Sequence, residues 1–360
     1  MAGQVYQVLG LMSGSSLDGL DLALCRFEER GSDQWKGQIE SAHTQPFPES
    51  LFKLLSEAHT ATALELCRTE QAFLEFCAEA IGLFPGSERA DLVASHGHTV
   101  FHKPGEGWTL QIGNGARLYG LTGMAVVSDF RSTDVALGGQ GAPLVPCAER
   151  FLFQEFAACL NLGGIANISF PQNLETHGFD ICACNQWLNR LAGSLGLPYD
   201  KDGQLSGEGK IIPELEEKLN ALPYYHRSGP RSLGNEDCHR VFESLLQNIP
   251  YSIPDVLATV ISHVGFQVGR NLTGAKGGKM LVTGGGAFHP GLLAAIKAHL
   301  PPAWSLEIPD PQLISFKEAY CFAFLGLRRA LNRKNVFAQV TGARADSVAG
   351  VLSGEWPGPM

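Results

Sequence analysis

The sequence predicts an α/β fold built from two similar halves, and three observations support this prediction. Short apolar segments alternate with longer ones whose apolar residues recur every three or four positions, as expected for strands and helices. The pattern restarts after a segment rich in glycine and proline, Gly138–Pro146. Three glycine turns each follow a buried strand: the first at Gly10–Asp21, the second at Asn161–Asn167 and the third at Thr283–Pro290. A chain of 360 residues is long enough for two domains.

The first half alternates strands with helical segments. In chain order we predict strands at 4–12 and 20–28, a helical region near 50–84, strands at 90–97 and 108–113, a helix at 116–123 and a strand at 124–130. The apolar spacing of three and four in the region 50–84 is typical of an amphipathic helix.

The second half opens with a strand, a glycine turn and a strand at 158–170, in the same plan as the N-terminal hairpin. In chain order we predict helices near 185–195, 210–222, 235–248 and 254–273, a strand, glycine run and helix over 279–300, and a last helix at 315–332. The predicted domains are 1–135, with the C-terminal segment 335–360 packing back on it, and 136–334.

Charge and hydropathy exclude several classes of protein. The formal net charge of −9 argues against nucleic acid or an anionic membrane surface as a partner. No apolar run approaches the roughly 18 residues of a membrane span, and the N-terminus lacks the basic region of a secretory signal. Nine cysteines without a secretion signal indicate reduced thiols. We therefore expect a cytoplasmic protein, and the sequence leaves open whether it forms a homodimer.

The glycine turns suit phosphate groups, because glycine lets the backbone approach a ligand and present its N–H groups. One such turn is more often only a tight turn, but three at strand ends favour a nucleotide clamp. The predicted nucleotide-binding residues are Gly14, Ser15, Ser16, Leu17, Asp18, Gly19, Leu20 and Asp21 in the first turn, Gly163, Gly164 and Asn167 in the second, and Gly284, Gly285 and Gly286 in the third. Asp18 and Asp21 could hold Mg²⁺ directly or through water. The chain has no P-loop.

These residues also carry a family resemblance. The stretch GLMSGSSLDGLD resembles the opening motif G-x-M-S-G-T-S-x-D-G-x-D of the anhydro-N-acetylmuramic acid kinases, with Ser15 in place of the usual threonine. The stretches SHGHTVFHKP, DFRSTDVALGGQGAPLVP, LNLGGIANIS, LPYDKDG, VTGGGAFHP and VTGAR follow in the family's order, from about Gly10 to Arg344. The resemblance implies two duplicated ribonuclease-H-like domains around a central nucleotide and sugar cleft, the actin-like ATPase fold, with ATP and Mg²⁺ as cofactors.

The resemblance also implies a reaction on small molecules. Enzymes of this family open a 1,6-anhydro amino sugar with water and phosphorylate the freed O6 from ATP, giving N-acetylmuramic acid 6-phosphate and ADP during peptidoglycan recycling. Water must attack the anomeric carbon, so a carboxylate is needed as a general base. Asp180 matches the aspartate of the family's F-D-T-G-P-G-N motif. Glu318 resembles a glutamate that helps to hold the water, in a segment that departs from the usual D-x-x-E-A start.

Other readings of these two residues stay open. An aspartate before a helix can simply cap it, and a lone glutamate on a helix is usually solvated. The segment Ile181–Cys184 replaces the usual T-G-P-G, so the backbone could follow a different path there. Cys182 and Cys184, with His177, could bind metal or form a redox pair, but two buried thiols fit the spacing better.

Three further residues are predicted to line the sugar site: His96, Arg131 and Gln140. His96 would contact the sugar or support a residue that does, and zinc binding by His96, His98 and His102 is the less favoured alternative. Arg131 suits the lactyl carboxylate of the substrate, because a guanidinium pairs with a carboxylate through two hydrogen bonds. A structural ion pair of Arg131 with Asp129 or Asp134 is the competing interpretation.

Two other functions remain compatible with the sequence. One is a related kinase that acts on another sugar or on an acyl group, which a sugar pocket altered at Ile181–Cys184 or His98 would favour. The other is a nucleotide-binding sensor that has lost catalysis, which the retained Asp180 argues against. Sugar-stimulated release of ADP separates a kinase from such a sensor.

Overall fold

The computed structural model describes residues 4–14, 17–170, 178–226, 233, 235–246, 250–356 and 358. The chain divides into two compact units: unit 1 comprises Met1–Leu152 and Phe316–Met360, and unit 2 comprises Phe153–Ser315. Among the described residues, each helix is too short or too polar to cross a membrane.

Thirteen strands and thirteen α-helices occur in the part of the chain that the structure describes. The strands are β1 Gln4–Ser13, β2 Leu20–Glu29, β3 Trp35–Gln45, β4 Leu92–Ser95, β5 His98–Lys103, β6 Trp108–Ile112, β7 Val126–Ser128, β8 Ala158–Leu162, β9 Ile165–Ser169, β10 Gly178–Ala183, β11 Gly278–Thr283, β12 Trp304–Glu307 and β13 Val351–Ser353. The helices are α1 Glu49–Glu57, α2 Ala63–Leu83, α3 Gly115–Thr122, α4 Ser132–Ala136, α5 Val145–Leu152, α6 Asn185–Gly193, α7 Gln204–Glu208, α8 Pro213–Asn220, α9 Asn235–Leu245, α10 Ile253–Leu272, α11 Pro290–His299, α12 Pro311–Ala330 and α13 Ala338–Thr341.

The sheets of the two units share one plan. In unit 1 the order is β13-β7-β4-β1-β2-β3, and in unit 2 it is β10-β9-β8-β11-β12. In both sheets, three antiparallel strands are followed by two parallel strands. In unit 1 the parallel strands next to β1 are β4 and β7, and in unit 2 those next to β8 are β11 and β12. The α/β class and the duplication predicted from the sequence are therefore confirmed.

The unit boundaries differ from the predicted domain bounds of 1–135, 335–360 and 136–334. Helix α5, which follows the glycine- and proline-rich segment, stays with unit 1 because it is tied to α12. Lys317 on α12 and Glu149 on α5 form an ion pair at 2.5 Å, and both side chains are buried. Most of α12 then belongs to unit 1, because its Ala319 lies directly against β1 at Gly10.

The predicted helical region at 50–84 consists of two helices, α1 and α2. A 3-10 turn at Ala58–Thr60 separates them, and Thr62 begins the second helix with a capping box. The Thr62 side chain accepts from the Glu65 backbone N–H, and the Glu65 carboxylate accepts from the Thr62 N–H at 2.8 Å. These bonds satisfy the first free N–H groups of α2, so the break is encoded locally.

Each unit has its own apolar core. In unit 1, buried leucines of β1 and β2 pack with Phe73 and Leu74 of α2. In unit 2 the long helix α10 is buried along most of its length against α11 and the sheet. The cores leave polar residues at the ends of the central strands, which is where the glycine turns lie.

Candidate active site

The first glycine turn joins β1 to β2 in unit 1. Ser15 and Ser16 lie outside the described residues. Leu17 has a positive φ of 59°, and its N–H donates to the Gly14 carbonyl at 3.3 Å. A Cβ at Gly19 would lie 2.5 Å from the Gln45 carbonyl oxygen, so the close approach of β3 requires glycine there. The Leu20 side chain is buried in the core, which leaves only its backbone for ligand contact.

Two carboxylates stand at the end of this turn. Asp21 Oδ1 accepts a hydrogen bond from Thr44 Oγ1 at 2.6 Å, and Asp18 is exposed. Burial raises the pKa of Asp21, the Thr44 hydroxyl lowers it, and the neighbouring charge of Asp18 raises it. Magnesium is commonly bound through one or two carboxylates and several waters. This pair of carboxylates therefore fits a hydrated Mg²⁺.

His96 and Arg131 form a hydrogen-bonded pair in unit 1. Arg131 Nε and Nη2 lie 3.1 Å and 2.9 Å from His96 Nε2, and His96 Nδ1 lies 2.9 Å from the Gly97 carbonyl. His96 is 3% exposed, and burial together with the Arg131 charge lowers the pKa of His96 to about 3. Both imidazole nitrogens are therefore occupied, and this geometry favours the interpretation in which His96 supports Arg131.

Arg131 makes no ion pair with a described residue, which is unusual for a half-buried guanidinium. Its Nη1 donates to the Gly141 carbonyl at 2.5 Å. The proposed structural partners are engaged elsewhere: Asp134 accepts from Thr341 Oγ1 at 2.6 Å, and Asp129 accepts from the Ser132 N–H at 3.2 Å. The ion-pair interpretation with Asp129 or Asp134 is therefore wrong.

Glu318 on α12 faces the same region of unit 1. The residue keeps access to solvent, although protein atoms surround its carboxyl. Desolvation by the surrounding protein raises the pKa of Glu318, the charges of Lys317 and Arg131 lower it, and that of Asp21 raises it. Desolvation lowers the pKa of Arg131 to about 10, and Glu318 opposes this shift. Glu318 is therefore close enough to both Arg131 and Asp21 for their charges to shift its pKa.

The other histidines of the motif have separate partners. His98 Nδ1 bonds Ser13 Oγ at 3.0 Å, and His102 Nδ1 bonds Thr109 Oγ1 at 3.0 Å. No group of three metal-ligating side chains suited to a metal ion occurs within the described ranges. Gln140 is exposed, and its backbone N–H donates to the Thr341 carbonyl at 2.8 Å.

The second and third glycine turns meet in unit 2. A Cβ at Gly284 would lie 2.6 Å from Asn161 Oδ1, and one at Gly286 would lie 2.7 Å from Leu162 Cβ. Asn185 Nδ2, at the start of α6, donates to the Leu162 carbonyl at 2.8 Å. Glycine is therefore required at 284 and 286 for the turns to pack together.

Two other glycines have open space above them. A Cβ at Gly285 would meet only Asn185 Nδ2, at 3.6 Å, and one at Gly164 would meet only Gln186 Cβ, at 3.8 Å. Neither glycine has a positive φ, so neither packing nor backbone conformation explains it. A ligand that approaches the backbone closely, such as a phosphate, would explain both.

A pocket of about 400 Å³ lies beside the third glycine turn. It is lined by Asn185 and Leu188 of α6, the loop 199–202, and Gly285 and Gly286 of the turn. Phe288 and His289 complete the lining. This volume falls within the usual range for small-molecule sites, about 300–1,000 Å³.

Asp180 lies on strand β10, opposite Asn167 of β9. The strand has a bulge between Asp180 and Cys182, and bulges commonly redirect a side chain. Asp180 Oδ2 accepts from the Leu233 N–H at 2.8 Å, and its carbonyl accepts from Tyr224 at 2.6 Å. Helix α6 begins five residues later with Cys184 at its N-cap, so the interpretation of Asp180 as a helix cap is wrong.

The segment Ile181–Cys184 forms part of the core of unit 2. All four side chains are buried, and Cys182 and Cys184 are reduced cysteines. Burial raises the pKa of Cys184 to about 12. The prediction of two buried thiols is confirmed, while His177 lies outside the described residues.

The sequence profile of the anhydro-N-acetylmuramic acid kinase family matches residues 6–354 of this chain. The chain belongs to this family. Two curated members illustrate the similarity. The anhydro-N-acetylmuramic acid kinase of Pseudomonas putida is 38% identical over 343 residues, 88% of this chain and 91% of the relative. That of Variovorax paradoxus is 34% identical and covers 98% of this chain and 99% of the relative.

Among solved structures, a ROK family glucokinase from Streptomyces griseus in complex with glucose and AMPPNP superimposes with a TM-score of 0.43 at 13% identity. It covers 89% of this chain and 99% of the glucokinase. This structural likeness is too weak to bear on function, so the family assignment rests on the sequence matches.

Several residues that build the site of this kinase family member were missed by sequence reasoning. Asn161 and Asn185 hold the second and third glycine turns together. Asp200 and His289 form a buried pair in the wall of the pocket. The motifs LPYDKDG and VTGGGAFHP contain the last two residues, and their polar residues among glycines were the available signal.

Proposed function

We propose that this protein binds ATP and 1,6-anhydro-N-acetylmuramic acid, opens the anhydro ring with water and phosphorylates O6. The products are N-acetylmuramic acid 6-phosphate and ADP. The observation that carries the proposal is that the second and third glycine turns pack against each other, with a pocket beside the third turn, in a chain of this kinase family. The substrate follows from the name shared by the curated relatives. Action in the cytoplasm and a homodimeric state remain predictions.

The nucleotide is assigned to the pocket beside the third glycine turn. The open space at Gly164 and Gly285 would accept phosphate oxygens close to the backbone N–H groups. Tyr199 and Phe288 line the pocket with exposed aromatic rings, which suits the flat face of a nucleobase. The other predicted nucleotide-binding residues of these two turns would act mainly by setting the shape of the turns: Gly163, Asn167, Gly284 and Gly286.

Asp18 and Asp21 are assigned to Mg²⁺, with waters completing its coordination. When bound, the ion would neutralise the charge that develops on the phosphates during transfer. The Thr44 hydroxyl keeps one oxygen of Asp21 oriented through its 2.6 Å hydrogen bond. The other residues of this turn are assigned to the phosphates: Gly14, Ser15, Ser16 and Leu17.

Arg131 is assigned to the lactyl carboxylate of the sugar. Its guanidinium keeps its positive charge at a pKa of about 10 and has no carboxylate partner among the described residues. The neutral His96 holds the side chain in place without cancelling its charge. Gln140 stays a proposed polar contact on the basis of its exposed side chain.

Asp180 is assigned as the general base. It would take a proton from the water that attacks C1 of the sugar, the C1–O6 bond would break, and O6 would take the γ-phosphoryl group of ATP. The Leu233 N–H binds one carboxylate oxygen of Asp180 and so orients the other. Glu318 is assigned to hold the attacking water, since the residue keeps access to solvent and its carboxyl lies in a region of neighbouring charges.

The first test is ADP release from the purified protein with Mg²⁺ and ATP, with and without the anhydro sugar. We expect release to depend on the sugar. ATP binding without stimulation by this sugar would contradict the proposed substrate, and a panel of other sugars would then identify a related kinase or a nucleotide sensor.

A matched pair of glycine variants tests the nucleotide site. Gly285→Ala is expected to fold normally, because nothing closer than 3.6 Å opposes the new methyl group, yet to weaken ATP binding about tenfold or more. Gly193→Ala, at the end of α6 with nothing within 4 Å, is the control and should bind ATP as the wild type does. Equal affinity in both variants would contradict the assigned site.

A further inference from the structure

Asp200 and His289 are distant in sequence but paired in the wall of the nucleotide pocket. His289 Nε2 lies 3.3 Å from Asp200 Oδ2, and the two side chains are 10% and 1% exposed. His289 Nδ1 accepts from the Leu292 N–H at 3.1 Å, as the N-cap of α11. The ring proton therefore lies on Nε2, directed at Asp200.

Two backbone N–H groups of the following helix, α7, also donate to Asp200. The Leu205 N–H lies 2.8 Å from Oδ1, and the Ser206 N–H lies 3.1 Å from Oδ2. Burial acts to raise the pKa of Asp200, but the hydrogen bonds from Ser206, Leu205 and His289 bring it below its ordinary value. The carboxylate is therefore charged and fully engaged inside the protein.

The His289 ring is held between two glycines. A Cβ at Gly203, where φ is +70°, would lie 3.0 Å from His289 Cε1, and one at Gly291 would lie 3.3 Å from the same atom. Gly203 ends the 3-10 turn Lys201–Gly203, and Gly291 is in the first turn of α11. The ring thus packs against both the 3-10 turn and the first turn of α11, so a displacement of the 3-10 turn would also displace the start of α11.

We propose that Asp200 and His289 are positioning residues that lock the loop 199–202 to the third glycine turn and so set the affinity for ATP. This inference rests on the proposed function, because it takes the pocket to be the nucleotide site. Neither residue needs to touch the nucleotide, because each would act through the pocket wall that it holds. The hydrogen bond between Asp200 and His289 would favour nucleotide binding without changing the groups that contact the sugar.

The test is equilibrium binding of ATP to the full chain by calorimetry, with steady-state kinetics alongside. His289→Asn keeps an acceptor for the Leu292 N–H, because asparagine is a good N-cap, but it is too short to reach Asp200. We expect the Kd for ATP to rise about tenfold. The KM for ATP should rise with it, while the KM for the sugar stays within about twofold.

Asp200→Asn removes the charge of the other partner in the pair. It also provides a second variant in case His289→Asn does not fold. If the two residues act as one unit, the double variant should lose no more affinity than the worse single variant. His299→Asn, an exposed histidine on the same helix, is the matched control and should bind ATP as the wild type does.

The outcomes separate this proposal from the proposed function. A wild-type protein that binds ATP, with folded variants of unchanged Kd, would overturn the positioning role alone. Equal increases in the KM for ATP and for the sugar would also overturn it, because they indicate a general structural role. A wild-type protein that does not bind ATP would overturn both proposals.

Discussion

Arg131 donates two hydrogen bonds to a single nitrogen of His96, with distances of 3.1 Å and 2.9 Å to Nε2. A guanidinium can only donate, so Nε2 is unprotonated and the ring proton lies on Nδ1, facing the Gly97 carbonyl. The pKa of about 3 agrees with an imidazole that stays neutral at physiological pH. A neutral partner orients Arg131 and leaves its positive charge available to a carboxylate ligand.

Substitution of His96 should therefore affect the sugar and not the nucleotide. His96→Ala removes the acceptor that orients Arg131, and we expect the KM for the sugar to rise about tenfold with little change in the KM for ATP. His96→Gln restores an acceptor and should recover part of the loss. Steady-state kinetics with each substrate varied in turn would measure this, and a larger effect on the KM for ATP would contradict it.

The carboxylates of the first glycine turn should control the requirement for Mg²⁺. Asp21→Asn removes a negatively charged ligand, so the Mg²⁺ concentration for half-maximal activity should increase several-fold. Thr44→Val keeps the carboxylate but removes the hydrogen bond that lowers the pKa of Asp21. With a higher pKa, Asp21 becomes protonated at a higher pH, so the acidic limb of the activity profile should move to higher pH.

An unchanged Mg²⁺ requirement in Asp21→Asn would contradict the assignment of this residue. An acidic limb that stays in place in Thr44→Val would contradict the link between Asp21 ionisation and activity. A Mg²⁺ titration of activity at fixed pH measures Asp21→Asn, and a pH titration of activity at saturating substrates measures Thr44→Val.

The packing of α12 on β1 should tolerate no side chain at residue 10. In Gly10→Ala the new Cβ would lie 2.1 Å from the Ala319 carbonyl oxygen, so backbone must move. We expect destabilisation of about 2–4 kcal/mol. Gly82→Ala is the control, since nothing lies within 4 Å of its Cβ in α2 and alanine favours helix by about 1 kcal/mol. Thermal melting of both variants measures the contrast, and equal melting temperatures would contradict it.

The sequence predicted the α/β class, the duplication and the three glycine turns, because each has a local pattern. It did not predict β3, whose residues are mostly half-buried and lack apolar alternation. It predicted that Asp180 follows the second glycine turn and precedes a helix, as it does, but not that the residue lies on a strand with a bulge, which only the pairing with β9 reveals. The polar residues of the two motifs mark Asp200 and His289 individually, but their pairing arises from tertiary contacts between distant segments, so neither motif indicates that the two residues meet.

Two buried histidines should make the protein sensitive to mild acid. Burial lowers the pKa of His96 and of His263 to about 3, against about 6.5 in an unfolded chain. Below pH 6.5 the unfolded state therefore binds more protons than the folded state, so stability falls as the pH decreases towards 3. Each group contributes a slope of about 1.4 kcal/mol per pH unit in that range.

Melting temperatures at pH 7.5, 6 and 5 measure this effect. His263→Gln should show a smaller decrease between pH 6 and pH 5 than the wild type, even if it is less stable at pH 7.5. The neutral ring of His263 bonds Tyr225 and Asn220 at 2.9 Å and 2.7 Å, so some loss at all pH values is expected. An identical pH dependence in the variant and the wild type would contradict the assignment.

The most direct test of the proposed reaction is product analysis in ¹⁸O-labelled water, with ATP, Mg²⁺ and the anhydro sugar, for the wild type and Asp180→Asn. We expect sugar 6-phosphate with ¹⁸O at C1 and an unlabelled bridging O6, because water attacks C1 and O6 takes the phosphoryl group. The Asp180→Asn variant should bind ATP normally and form this product about 10²–10⁴-fold more slowly. Label in inorganic phosphate without sugar phosphate would contradict the proposed reaction, and full activity in Asp180→Asn would contradict the role of Asp180 as its base.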